Sequence, residues 1–188
     1  VKKLLLLIAA LAMILTVSVG CSPSKPATPL TDDLGQSINI KAVPQRIVSL
    51  APSNTEILFA LGLGSKVVGT DSDSDYPTAA TTLPHVGSGY PSFDIETIVN
   101  LKPDLVIGFG YTMPDYVTQL ENLGIPVVIL APKDVSGVIS DITLVGKITG
   151  ATSQAKTLAT SMQNSLNTIE AKIKGVTDPR VLWEFDGT

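Results

Sequence analysis

An α/β lobe, a parallel sheet flanked by helices, is the fold class the sequence predicts, and three features predict it. From Arg46 onward short apolar runs alternate with stretches of helical periodicity. The links between them are short and carry Gly or Pro, and one run, Leu105 to Phe109, has no polar interruption. A continuous apolar run of that length suits a parallel strand covered on both faces. Strands alternating with helices through short links imply right-handed crossovers, and roughly 110 residues are enough to bury one core.

The elements follow in order. Arg46 to Leu50 (RIVSL) is the first strand. Ser53 stands three residues before Glu56, a capping box, so a helix is predicted from Asn54, with Ile57, Leu58 and Leu61 on its buried side and Gly62 as its stop. Lys66 to Thr70 (KVVGT) is the second strand. A polar loop with Pro77, Pro84 and Pro91 leads into FDIETIVNLKPDLVIGFG. There Asp94 caps a helix whose Ile95, Ile98 and Val99 share a buried face, and Lys102-Pro103 ends it. Leu105 to Phe109 is the third strand. Pro114 opens a helix with Val117, Leu120 and Leu123 on one side and Gly124 at its end, and Pro126 to Leu130 is the fourth strand. The order is Rossmann-like.

Two more helices are predicted, Val135 to Thr149 and Ser153 to Lys174. The second places Ala155, Leu158, Met162, Leu166, Ile169 and Ile173 on one stripe to be buried. Gly175 ends it, and Arg180 to Asp186 (RVLWEFD) reads as a further strand with no partner beyond it. That strand either opens a second lobe missing from this chain or pairs back onto the first sheet. The expected division is a signal peptide over 1–20, a tether over 21–33, the lobe over 34–150, a long helix over 151–175 and the start of a truncated second lobe over 176–188.

Lys2 and Lys3 precede a run from Leu4 to Val17 that nothing more polar than Thr16 interrupts. A basic start before roughly 7–15 apolar residues is a secretory signal, too short for a comfortable membrane span. The chain's one cysteine, Cys21, follows directly and is trailed by the proline-rich SPSKPATP. The pattern resembles a bacterial lipoprotein signal with Cys21 as the lipid attachment point. Gly20 fits it, whereas Ser18 stands where that motif usually has Leu, and ordinary signal cleavage is the alternative. Losing residues 1–20 would move the net charge from −4 to −6 by removing Lys2 and Lys3. That acidity argues against a nucleic-acid partner, which requires a basic face.

Several local patterns fail as chemistry. Asp71-Ser72-Asp73-Ser74-Asp75 begins like a calcium loop, but Tyr76 replaces the needed Gly and Thr82 the needed Glu. Gly87-Ser88-Gly89 is not a nucleophile elbow. Neither Gly62-Leu63-Gly64 nor Gly108-Phe109-Gly110 continues into a dinucleotide fingerprint. The single histidine, His85, is a poor start for a metal site and reads as a loop residue. A secreted hydrolase would have to draw its Ser/His/Asp set through it, so no catalytic residue, metal or cofactor is expected. What recurs is the placement of polar and aromatic residues where strands end: Ser53 and Asn54 after the first, Asp71 to Tyr76 after the second, Phe109 and Tyr111 at and beyond the third. In an open α/β sheet that edge forms the ligand crevice, and aromatic rings there suit a large, flat, partly apolar ligand.

PQRIVSLAPSNTEILFALGLGSKVVGT, SDYP, FDIETIVNLKPDLVIGF and LGIPVVIL, in that order, together resemble the first lobe of the substrate-binding proteins that serve ABC importers of vitamin B12, iron–siderophores and haem. The likeness runs from about Leu34 to Asp186. It implies two α/β lobes joined by one long helix, the second opening on a strand such as RVLWEFD, and a lipid-anchored, extracytoplasmic protein that delivers its ligand to a membrane permease. The SPxNTE-like and SDYP stretches are most similar to the cobalamin binders. The resemblance then implies that cobalamin or another corrinoid lies near Pro52, Ser53, Asn54, the Asp73 loop, Tyr90 and Phe109, with a siderophore or haem as the alternative. Asp73 stands where the best-matching cobalamin binders have an aromatic residue, and Tyr90 and Phe109 stand where they have tryptophans. The resemblance also gives Glu96 a role, meeting arginines of the permease on docking.

Overall fold

The computed structural model describes residues 30–88, 92–112, 114–177 and 179–181. Among them are four strands, β1 (Ile47–Ser49), β2 (Val67–Thr70), β3 (Leu105–Phe109) and β4 (Val127–Leu130), and five α-helices. The helices are α1 (Pro52–Ala60), α2 (Ile95–Asn100), α3 (Pro114–Asn122), α4 (Val135–Thr149) and α5 (Thr152–Ile173). The strands form one sheet in the order β2-β1-β3-β4, every pairing parallel. The α/β class and all four strands stand as predicted, each within a residue at its ends.

Alternation along the strands feeds two cores. Ile47, Leu105, Ile107, Val128 and Leu130 point to one face, where Leu58 of α1, Ile142, Val145 and Ile148 of α4 and Ala155 of α5 cover them. Val48, Leu50 and Val106 point to the other, under Ile98 of α2 and Leu120 of α3, with Val86 and Phe93. Both faces are covered, which is why β3 can be apolar at successive positions. At the amino ends of the strands Arg46 Nε donates to the carbonyls of Leu101 (3.1 Å) and Lys102 (3.0 Å), and Asp104 accepts the amides of Gln45 and Arg46. A cation on the last carbonyls of α2 complements that helix end.

Four expectations need correction. Helix α1 starts at Pro52 and not Asn54, with Ala51 as its cap residue and no side-chain cap, so the Ser53–Glu56 capping box does not form. Proline at a helix's first turn lacks an N–H that would go unpaired there and has its φ preset, so it can open the helix in place of a capping hydroxyl. In α3 Leu123 is 59% exposed, while Tyr116 turns inward and packs edge-on against Phe93 with ring centroids 5.9 Å apart. The stripe of α5 is buried only at its start: Ala155 is covered, Leu158, Met162 and Leu166 partly so, and Ile169 and Ile173 are exposed. Residues 30–33, assigned above to the tether, pack onto the lobe. Asp32 is buried and accepts the amides of Leu34, Gln36 and Ile129, and Asp33 accepts that of Ala131. Of the expected strand RVLWEFD, Arg180 and Val181 carry no regular structure and the rest lies outside the described residues, as do the signal segment and Cys21.

Candidate functional site

In the strand order β2-β1-β3-β4 the chain leaves β1 toward one edge and returns to β3 on its other side. The topological switch point therefore lies between the carboxyl ends of β1 and β3, where a crevice opens in folds of this kind. The segment after β1 enters α1 at once, so Pro52 and Ser53 sit at the mouth of the switch point, both exposed. From β3 come Phe109, partly buried, and Tyr111, 89% exposed, stacked edge to face at 6.1 Å. Thr112 fixes this turn: its Oγ1 accepts the Phe109 amide at 3.0 Å, and its amide donates to the Phe109 carbonyl at 2.7 Å. An aromatic pair projecting from a braced turn, with its rings inclined at 66°, offers an apolar surface led by the exposed Tyr111 ring.

Asn54 departs from its expected place. It is 2% exposed, and its Nδ2 donates to the carbonyls of Gly108 (2.9 Å) and Ile107 (3.3 Å). Asn54 bolts α1 to the end of β3, beneath the crevice surface. Asp73 is exposed on the loop after β2. Tyr90 lies outside the described residues. Ser53 and Tyr76 line one side of a groove of about 550 Å³ that also takes in Glu56, Phe59, Pro77 and Met162. That groove runs between α1, α4 and α5, on a different flank from Phe109 and Tyr111.

Sequence reading places Asp71 to Tyr76 at the ligand edge but does not show that Asp71 and Ser74 turn inward to build the loop after β2. Asp71 is 2% exposed and accepts the Ser74 hydroxyl (2.5 Å) and the Asp73 amide (2.8 Å). Burial pushes its carboxyl above the ordinary aspartate range, while the Ser74 and Asp73 donors pull it back. His85 Nδ1 lies 3.1 Å from the Asp71 carbonyl oxygen. A carbonyl can only accept, so the ring holds a proton on Nδ1. The run of Ser and Asp after β2 was the available signal, but its alternation does not match the burial: Asp71 and Ser74, three residues apart, turn inward, while Ser72, Asp73 and Asp75 stay exposed. Among the described residues no three His, Cys, Asp or Glu side chains gather as a metal site would require.

Glu96 lies in the first turn of α2 and is exposed, as is Asn100 one turn on. Asp94 alone caps the helix, accepting the Thr97 amide at 2.9 Å and the Thr97 hydroxyl at 2.7 Å. These donors, the amide first, hold the Asp94 carboxyl below its ordinary value.

Comparison with known proteins bears on what this edge is for. The family model for the periplasmic binding protein matches residues 47–187. The chain belongs to the periplasmic binding protein family. Within it, the chain is 37% identical over 151 residues to YvrC of Bacillus subtilis (strain 168), named as an uncharacterized ABC transporter substrate-binding lipoprotein, covering 78% of this chain and 48% of that one. It is 32% identical over 142 residues to the vitamin B12-binding protein of Yersinia pestis (strain Pestoides F), covering 75% and 50%. The crystal structure of a periplasmic heme binding protein from Pseudomonas aeruginosa superposes with a TM-score of 0.65 at 32% identity, over 70% of this chain and 47% of the other. The chain thus spans about half the length of the curated relatives it matches. The periplasmic binding protein fold accounts for the four-stranded parallel sheet and its flanking helices.

Proposed function

We propose that this chain is the ligand-capturing lobe of an extracytoplasmic substrate-binding protein of an ABC importer, one that takes cobalamin or a related corrinoid and hands it to a membrane permease. The observation that carries the reading is the switch-point edge, where the exposed Pro52 and Ser53 follow β1 and the Phe109–Tyr111 pair closes the neighbouring β3, in a chain with one relative named as an ABC transporter substrate-binding lipoprotein and another as a vitamin B12-binding protein. A corrin is broad, flat and partly apolar, and an aromatic pair on a braced turn complements it. Haem or an iron–siderophore is the second reading, because the heme-binding structure is as similar in sequence, at 32%, as the vitamin B12-binding relative. Cys21 would carry the lipid anchor and Glu96 would meet the permease. The enzyme reading is the less favoured one, because the family model and the relatives are named for binding and transport.

Separate titrations with cyanocobalamin, haemin and a ferric siderophore, with a second lobe supplied, test the ligand class. Saturable corrinoid binding with the others inert is expected. Tight siderophore binding with no cobalamin binding would overturn the assignment.

A further inference from the structure

The loop after β2 is held from beneath by a buried chain of hydroxyls that ends on one carboxylate. Ser49, at the end of β1, donates to the Ala51 carbonyl (3.1 Å). Thr55 Oγ1, on α1, lies 2.8 Å from Ser49 Oγ and 2.8 Å from Ser74 Oγ. Ser74 donates to Asp71 Oδ2, and Asp71 Oδ1 accepts the amide of Asp73. All four side chains are at most 2% exposed. Each hydroxyl has one proton: Ser74 commits its own to Asp71 and Ser49 its own to the Ala51 carbonyl, so Thr55, with an acceptor on either side, joins the two by turning its single proton to one or the other. Thr55 is thus the donor that ties the β1 end to the loop. Backbone bonds complete the seat: the Asp71 amide donates to the Ser49 carbonyl and the Ser72 amide to the Gly87 carbonyl, each at 2.9 Å.

We propose that Asp71 is a positioning residue of the ligand edge: through Ser74 and Thr55 it locks the loop bearing Asp73 and Tyr76 to the start of α1, which bears Pro52 and Ser53, so that both walls keep one arrangement without ligand. The proposal rests on the binding reading for its purpose, though its geometry is independent of any ligand. Two walls from different strands must otherwise find their relation at the moment of binding, and fixing it beforehand removes that ordering cost.

Thr55→Val, which keeps the shape and removes only the bridging hydroxyl, is the sharp test. Ser49 keeps its bond to Ala51 and Ser74 its bond to Asp71, so neither is left unpaired and the fold should hold. Amide hydrogen exchange by NMR on the chain, with no ligand present, should show the Asp73 amide and its loop neighbours exchanging about tenfold faster or more, while β1 and β3 amides and the melting temperature stay as in the wild type. Thr55→Ser, which keeps the hydroxyl, should restore wild-type exchange, and Asp71→Asn should loosen the same amides. Unchanged loop exchange in both Thr55→Val and Asp71→Asn overturns the clamp. So does uniform acceleration throughout the chain, the mark of a general stability role. Because no ligand enters the measurement, a failed clamp leaves the binding reading standing, and failed ligand titrations leave the clamp standing.

Discussion

Asp141 shows how one carboxyl can set a pH dependence. It sits on α4, 2% exposed, and its pKa is raised from 3.8 to about 7, first by burial, then by the charge of Asp33 and a hydrogen bond with it. The folded protein therefore keeps a proton that the unfolded chain gives up near pH 3.8. The stability this proton represents is whole below that pH, declines as pH rises toward about 7, and is gone above it. The loss is on the order of 1–3 kcal/mol once relaxation around the pair is allowed for. Asp141→Asn leaves no charge to bury, and its amide can donate to Asp33 where the carboxyl did. The variant should melt higher than the wild type at pH 7.5 and show a flatter decline from pH 4.5 to 7.5. Thermal melts across that range check it, and parallel slopes in the two proteins would contradict the assignment. None of this was legible from the sequence, because Asp33 and Asp141 meet only through the fold. The same holds for Asn54: its place after a strand marked it for the crevice, but only the packing of α1 on β3 decides which way it faces. Exposed residues at strand ends, such as Ser53 and Tyr111, were legible because the end of a parallel strand fixes them there.

At the scale of elements, helices are most legible where the periodic pattern runs into a glycine. Gly62 and Gly124, the stops read for α1 and α3, have φ of +75° and +77° as glycine permits. Periodicity misleads where the partner surface decides, as in α5, whose regular stripe leaves the cover of the first sheet after Leu166. The tightest joint between elements is α4 on α5. A Cβ on Gly146 would lie 2.3 Å from Ala155 Cβ and 3.2 Å from the Ala151 carbonyl oxygen. Two effects then compete in Gly146→Ala. Helix propensity favours alanine by about 1 kcal/mol, while overpacking costs about 1–3 kcal/mol. Neither neighbour is the end of a flexible side chain, so relief requires the helices to part, and overpacking should win. We expect a net loss of stability of about 1–2 kcal/mol, measured by urea unfolding. Ala155→Gly in the same chain should recover part of it, and a Gly146→Ala protein as stable as the wild type would mean that the helices can separate freely.

At the scale of the whole molecule, the proposed reading makes the strand-end edge one wall of a cleft and α2 a docking helix. On the proposed reading most of a corrinoid's contacts in the closed protein would come from two lobes, and affinity follows the contacts that survive more than area. Residues 21–188 alone should therefore bind cyanocobalamin weakly or undetectably by calorimetry, with binding restored when a second lobe is supplied; submicromolar binding by this lobe alone would contradict a two-lobe site. Glu96 tests the other side of the reading. A carboxylate in a helix's first turn gains about 0.3–1 kcal/mol from the macrodipole, but Asp94 already fills the cap of α2. Glu96 is exposed, while Ile98 of the same helix enters the core. Its carboxylate can therefore meet a cationic partner without disturbing that core. In a protein carrying both lobes, Glu96→Lys should place like charges together at a permease whose docking residues are arginines, costing several kcal/mol of complex formation. The same change should lower stability by no more than about 1 kcal/mol, the macrodipole contribution reversed, and leave ligand affinity as it was. Permease-complex formation and uptake in membrane vesicles, run beside a ligand titration and a thermal melt of the same variant, separate the outcomes. Complexes and uptake should fall steeply while the other two hold. Normal uptake by Glu96→Lys would leave the residue only its place in the helix's first turn, and a parallel loss of ligand affinity would assign it to the cleft.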